Sequence, residues 1–245
     1  MFNVKNLKYP PNVEIDETDF PNAWAKLVMR IMQTGMTVPT EYSNYAKDVC
    51  SRITLSGKAL QQIANIDMHT QDPFGKVRTK EYLKQFTSDY DWGAQGFEYT
   101  YYDRLQNYRT GSPILHCPNC ESDVFTAPGI NQLHVLKDKL KGGVTRRAQA
   151  ITWRPKEDAY SQHPPCLQRI WIRPFTQKTC EVHLMWRSRD AYGAWASNLC
   201  GVIDMIHREV LDGSDFKIVK LVDVCNSAHV YDYDWDAANK VVLEK

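Results

Sequence analysis

Apolar residues recur at helical spacing in four stretches of the chain. In the first, Trp24, Leu27, Val28, Ile31 and Met32 share one face; Asp19 stands where a cap belongs, Pro21 suits an early helical position and Gly35 stops the run. A second helical pattern runs from Arg78 to Phe86. A third, from Asn131 to Lys141, stacks Leu133, Leu136 and Leu140 and ends at Gly142-Gly143. In the fourth, Leu199, Val202, Ile203, Ile206 and Val210 mark a long helix whose apolar face is wide enough for it to be central. Elsewhere the period falls to two. Ala148 to Trp153, Gln168 to Arg173, Cys180 to Arg187, Phe216 to Val224 and Ala228 to Tyr231 read as strands, with Val182, Leu184 and Trp186 alternating against Glu181, His183 and Met185. The Tyr-rich segment from Ser88 to Thr110 has no clean period and reads as loop and short strands.

No internal repeat and no Gly- or Ser-rich linker interrupts these elements, so residues 1–245 are expected to form a single α+β domain. Strand order does not follow from the pattern. The 30 Lys and Arg balance 29 Asp and Glu, which gives no footprint for sequence-independent nucleic-acid binding. No apolar run approaches the roughly 18 residues of a membrane span. The start, MFNVKNLKYPPNVE, lacks the basic-then-apolar layout of a secretion signal, so a cytoplasmic location is expected. Seven cysteines at irregular spacing, in such a setting, argue against a disulfide framework.

One of those cysteines is a candidate nucleophile. Cys166 follows His163-Pro164-Pro165 and precedes a strand pattern, so its backbone is held rigid at a strand mouth from which a thiol can be aimed into a cavity. A small hydrophobe capping the strand end fits the same local sequence. Arg146-Arg147 follow a Gly-Gly-Val-Thr turn, and Arg187-Ser188-Arg189-Asp190 lie between a strand end and a helix start. Guanidinium forks, a hydroxyl and helix-start amides suit a phosphate dianion, although paired arginines at a turn also suit plain solvent. Cys117 and Cys120, beside His116, make half of a zinc site; no second pair exists, and no metal is expected. The acidic, aromatic run Tyr231 to Asp236 reads as the capped start of a final helix.

Taken together, RRAQAITW (146–153), HPPCLQ (163–168), RSRDAYGAWASN (187–198) and AHVYDYDW (228–235) resemble the thymidylate synthase family, in the family's order. The spelling is closest to its short archaeal-type branch, with a YTY-x-x-RL stretch at Tyr99 to Leu105, and the match covers residues 20 to 236. Each motif is weak alone; in order, they form a strong signal. The resemblance implies a mixed sheet with a long central helix, an obligate homodimer, and one-carbon transfer to C5 of a pyrimidine deoxynucleotide, most simply deoxyuridylate to thymidylate. The implied donor is 5,10-methylenetetrahydrofolate or a methanopterin analogue. By the same resemblance Cys166 attacks C6, Arg187 and Ser188 hold the phosphate, and Arg146 and Arg147 reach the site of the neighbouring subunit. Asn198 reads uracil, His229 and Tyr231 bind the sugar 3′-hydroxyl, and Asp190 orients base and folate. Glu81 is matched to the catalytic Glu and Tyr101 to the active-site Tyr.

Four features depart from the family pattern. Leu167 stands where bacterial members carry His; no Arg occupies the stretch Pro39 to Tyr45, where a phosphate-loop Arg is expected; only nine residues follow Asp236; and the segment around Cys117 and Cys120 has no family counterpart. These departures keep a phage-type deoxyuridylate or deoxycytidylate 5-hydroxymethylase as the alternative, with a non-catalytic nucleotide-binding homologue and a zinc-dependent interaction module behind it.

Overall fold

The computed structural model describes residues 9–109, 115–116, 123–124, 129–176 and 178–244. In chain order the elements are β1 (Asn12–Glu17), α1 (Phe20–Thr34), β2 (Met36–Pro39), β3 (Tyr45–Ser56), α2 (Lys58–Asn65), α3 (Gly75–Leu83) and α4 (Tyr101–Gln106). Two short strands follow, β4 (Leu115–His116) and β5 (Asp123–Val124), then α5 (Gln132–Lys141), β6 (Ala148–Ile151), α6 (Pro155–Asp158), β7 (Leu167–Pro174) and β8 (Thr179–Trp186). The chain continues through β9 (Arg189–Asp190), α7 (Trp195–Met205), a π-helical turn (Ile206–Leu211), β10 (Lys217–Tyr231) and α8 (Trp235–Ala238).

A mixed sheet organises the fold. Its order is β1-β3-β10-β8-β7-β6, with β2 paired to β3 and β9 to β10. β10 is the hub: it runs antiparallel to β3 and parallel to β8 and β9. Alternation sorts β8 into two faces. Cys180, Val182, Leu184 and Trp186 are buried in the helix-covered core, while Glu181, His183 and Met185 belong to the opposite face. There Glu181 takes Lys220 Nζ at 2.6 Å and His183 Nε2 at 3.2 Å. The core side is filled by α1 and α7, and burying each large apolar side chain contributes roughly 1.5–3 kcal/mol. Phe20 stacks on Trp195 at 5.5 Å, and Trp24 sends its indole N–H to the Tyr192 carbonyl at 3.2 Å, which pins the loop between β9 and α7.

α1 begins where the pattern puts it, because Asp19 accepts the Asn22 backbone N–H at 3.0 Å. The helix expected from Arg78 to Phe86 is α3, which starts earlier, at Gly75, and is followed by a 3-10 turn over Lys84–Phe86. The expected loop from Ser88 to Thr110 contains α4, capped by Thr100, whose hydroxyl accepts the Asp103 N–H at 3.1 Å. The two strands expected at the C-terminal end form one, irregular between Cys225 and Ala228. Cys117 and Cys120 lie outside the described residues. Among the described residues, no three His, Cys, Asp or Glu side chains gather as a metal would require, and no helix is long and apolar enough to cross a membrane.

Candidate active site

Cys166 stands at the foot of β7, half-buried, with its carbonyl accepting the Arg187 backbone N–H at 2.9 Å across from the end of β8. The two prolines before it do more than stiffen the chain. Having no N–H of their own, they turn their carbonyls to Arg187, which gives Nη2 to Pro164 at 2.8 Å and Nε to Pro165 at 3.2 Å. The guanidinium is thereby fixed beside the thiol, with Nη1 left for an anion. Burial pushes the Cys166 thiol above its ordinary value, against the pull of Arg187 and Arg189, and Glu41 adds to the rise.

A second cation is built in below. Arg189 is buried and ion-paired with Asp223, and its guanidinium lies over the Trp186 ring at 4.3 Å. Asp223, fully buried, also accepts the indole N–H groups of Trp186 at 2.7 Å and Trp195 at 3.0 Å. Nε and Nη1 of Arg189 have no hydrogen-bond partner; the tryptophan faces supply the attraction instead. The network ties β8, β9, β10 and α7 together under the thiol.

β9 and β10 bring up the remaining predicted groups. Asp190 is paired with His229 across the ladder, and its Oδ1 accepts the N–H groups of Tyr192 at 2.9 Å and Gly193 at 3.0 Å. Burial raises its carboxyl above the ordinary range. Burial also lowers His229, which keeps the ring neutral at pH 7; Nδ1, 3.2 Å from the Ser227 carbonyl, carries the proton and leaves Nε2 as acceptor. Ser188 Oγ approaches the same Nδ1 at 3.4 Å. Tyr231 packs edge-on to His229 at 4.7 Å and is stacked on Tyr233 at 5.2 Å. Asn198, on the first turn of α7 and 8% exposed, gives Nδ2 to the Tyr82 hydroxyl at 2.9 Å. Tyr101 lies in the field of Cys166, and its ring meets Trp186 edge-on at 5.8 Å.

Two groups of predicted residues stand apart. Glu81 has a side chain 67% exposed and is ion-paired with Lys84, because α3 turns residue 81 outward and residue 82 inward. Arg146 and Arg147 are exposed before β6, where they line a cavity of about 660 Å³ with Arg173 and Phe175. Ala148 pairs with Ile172, so this cavity lies at the far end of β7 from Cys166, roughly 20 Å away at the usual strand rise.

Several neighbours of the thiol escape motif reading. Tyr82 and Tyr99 are among them; with the predicted Tyr101 they lie within electrostatic reach of Cys166 and line a cavity of about 180 Å³ with Gln85, Phe86 and Thr100. Glu41, in the stretch without an Arg, is felt by Cys166, His229 and Tyr231 alike. Buried Asp72 is held up to about 6 by burial, with a smaller push from Asp190. Besides the YTY-x-x-RL stretch, the density of Tyr from 82 to 102 is the signal in the sequence that marks this region.

No protein-family model matches the sequence. Individual proteins do. The chain is 34% identical over 175 residues, 69% of its length and 68% of the relative's, to a Methanosarcina mazei protein named "Putative thymidylate synthase". A Methanococcoides burtonii protein of the same name is 29% identical over 76% of this chain and 81% of its own length. One from Methanothermobacter marburgensis, also so named, is 25% identical over 94% and 97%. With the motifs in order and a thiol, an arginine and an asparagine gathered at one strand mouth, the chain belongs to the thymidylate synthase family.

Proposed function

We propose that the protein transfers a one-carbon unit to C5 of deoxyuridylate, giving thymidylate, through a covalent bond between Cys166 and C6 of the base. The observation that carries this reading is the thiol at the foot of β7, beside an Arg187 fixed by the Pro164 and Pro165 carbonyls, with Asp190, Asn198, His229 and Tyr231 drawn around it from β9, α7 and β10. Arg187 Nη1 and Ser188 take the phosphate. Nε2 of His229 accepts the 3′-hydroxyl, which Tyr231 flanks.

C5 of uracil is a poor nucleophile. Addition of the Cys166 thiolate at C6 moves the C5–C6 π pair toward O4, where the Asn198 amide N–H stabilises the enolate, and C5 then attacks the one-carbon donor. Loss of the C5 proton expels the donor nitrogen from the new carbon, and hydride addition to that carbon drives the sulfur off C6 and restores the C5–C6 double bond. Arg187 and Arg189 favour the thiolate needed to start.

The donor, a reduced folate or methanopterin relative, supplies the methylene carbon and the hydride that makes a methyl group. The site suits such a ring. Both loop amides go to Asp190 Oδ1, and a Cβ at residue 193 would come within 2.7 Å of Oδ2. Gly193 therefore keeps Oδ2 open to a pterin N–H. A homodimer, with Arg146 and Arg147 serving the neighbouring site, is part of this proposal.

Purified protein given deoxyuridylate and methylenetetrahydrofolate should release a nucleotide heavier by one CH₂ in mass analysis. 5-Fluoro-deoxyuridylate with donor should label Cys166, and Cys166→Ala should end turnover while nucleotide still binds. A label on another cysteine, turnover in the Ala variant, or a hydroxymethyl product each overturns the proposal as stated.

A further inference from the structure

We propose that Tyr82 is a specificity-determining positioning residue: its phenol oxygen holds the Asn198 amide in the orientation that reads uracil and rejects cytosine. The inference rests on the uracil-nucleotide reading above. Asn198 Nδ2 donates to Tyr82 Oη at 2.9 Å, between the first turn of α7 and the last turn of α3. An amide nitrogen carries two hydrogens. With one given to Tyr82, the other stands beside Oδ1, so the amide offers a donor next to an acceptor. That edge complements O4 and N3–H of uracil.

Cytosine presents an amino group and a bare N3, and needs the amide turned over. Turning it brings Oδ1 against Tyr82 Oη, and two acceptors meet unless the phenol swings its own proton round. Burial, with Cys166 adding to it, keeps the Tyr82 phenol protonated, so a neutral hydroxyl stands beside the amide. The ring itself has little freedom: it is wedged edge-on between Phe74 at 6.0 Å and Phe86 at 5.4 Å. One hydroxyl therefore holds the amide that reads, within the field of the sulfur that attacks. It stands beside Glu81, whose carboxylate the helix turns to solvent.

Tyr82→Phe removes only the oxygen and keeps both ring contacts, so folding is not at stake. Dissociation constants for deoxyuridylate and deoxycytidylate, measured by calorimetry on the full chain, give the discrimination. The rate of Cys166 alkylation by iodoacetamide monitors the rest of the site. The expected result is a loss of about tenfold in preference for the uracil nucleotide, the worth of one hydrogen bond. It should come from weaker deoxyuridylate binding, with deoxycytidylate unchanged or tighter and alkylation within about twofold of the parent. An unchanged preference, or equal weakening of both nucleotides, overturns the role of Tyr82 alone. A parent protein with no preference for deoxyuridylate overturns the uracil reading, and this inference with it.

Discussion

Cys166 stands between opposing influences: burial holds the proton on sulfur, Arg187 and Arg189 pull it off, and Glu41 pushes it back. The folded thiol therefore titrates above its ordinary value of 9.0, and the reactive thiolate grows with pH throughout the neutral and mildly alkaline range. Alkylation of Cys166 followed against pH should still be climbing at pH 9 in the nucleotide-free protein. Glu41→Gln removes the opposing charge, so its profile should move to lower pH; a profile unmoved or shifted upward would contradict the assignment. This residue shows the limit of reading single positions. The Pro-Pro-Cys phrase marks the thiol because prolines constrain their neighbours locally. Glu41 lies 125 positions earlier in the chain, and nothing in Thr40-Glu41-Tyr42 announces that folding brings its charge to the sulfur. Glu81 fails in the opposite sense: the motif is nearly in register, but one residue on a helix is about 100° of rotation.

α7 is legible in the sequence because its apolar residues repeat over several turns, and α1 because cap, proline and stripe agree. α4 is six residues long, too short to show a period, and its Thr-x-x-Asp cap is the only local sign. β3 alternates, but Lys47, Asp48 and Arg52 on its half-open strand dilute the signal. How α7 meets its neighbours is not legible at all. Gly201 gives Phe86 its place: a Cβ there would lie 2.4 Å from the Phe86 ring. Gly201→Ala gains helix propensity yet must displace a ring packed on Tyr82 and Tyr101, so a net loss of about 1–3 kcal/mol is expected by denaturant unfolding, with weaker nucleotide binding. At the entrance to α3, Asp72 Oδ1 accepts the N–H groups of Phe74 at 2.9 Å and Gly75 at 3.1 Å. Burial holds this carboxyl at about 6 against an ordinary 3.8, so the folded chain binds the extra proton. Its contribution is therefore whole below about pH 4 and drains away as pH rises to about 6, by up to about 3 kcal/mol. Asp72→Asn keeps the accepting oxygen. It should unfold at higher temperature than the parent at pH 7 and show a flatter stability curve between pH 4 and 6; an equal slope would mean the proton resides elsewhere.

Across the whole molecule, β7 separates two basic sites. One end carries Cys166 and Arg187, and the other opens onto Arg146, Arg147 and Arg173. Both ends look built for anions, yet one chain cannot apply both to one phosphate over roughly 20 Å. The proposed two-fold homodimer would resolve this, because a symmetric interface can set the far end of one subunit beside the near end of the other. The sheet face bearing Glu181, His183, Lys220 and Trp171, polar but well packed, is available for such pairing. The arrangement makes a sharp expectation for mixed subunits. An Arg146→Ala/Arg147→Ala chain and a Cys166→Ala chain should each be inactive alone, the first lacking the shared cations and the second the nucleophile. Denatured together and refolded in equal amounts, half of the dimers are mixed, and each mixed dimer has one complete site: its own Cys166 from the first chain and the arginines from the second. Recovered activity should approach about one-quarter of the parent's. No recovery from folded, mixed dimers would place the arginines and the thiol on the same subunit's site, and full activity in a chain shown by sedimentation to be monomeric would remove the need for sharing altogether.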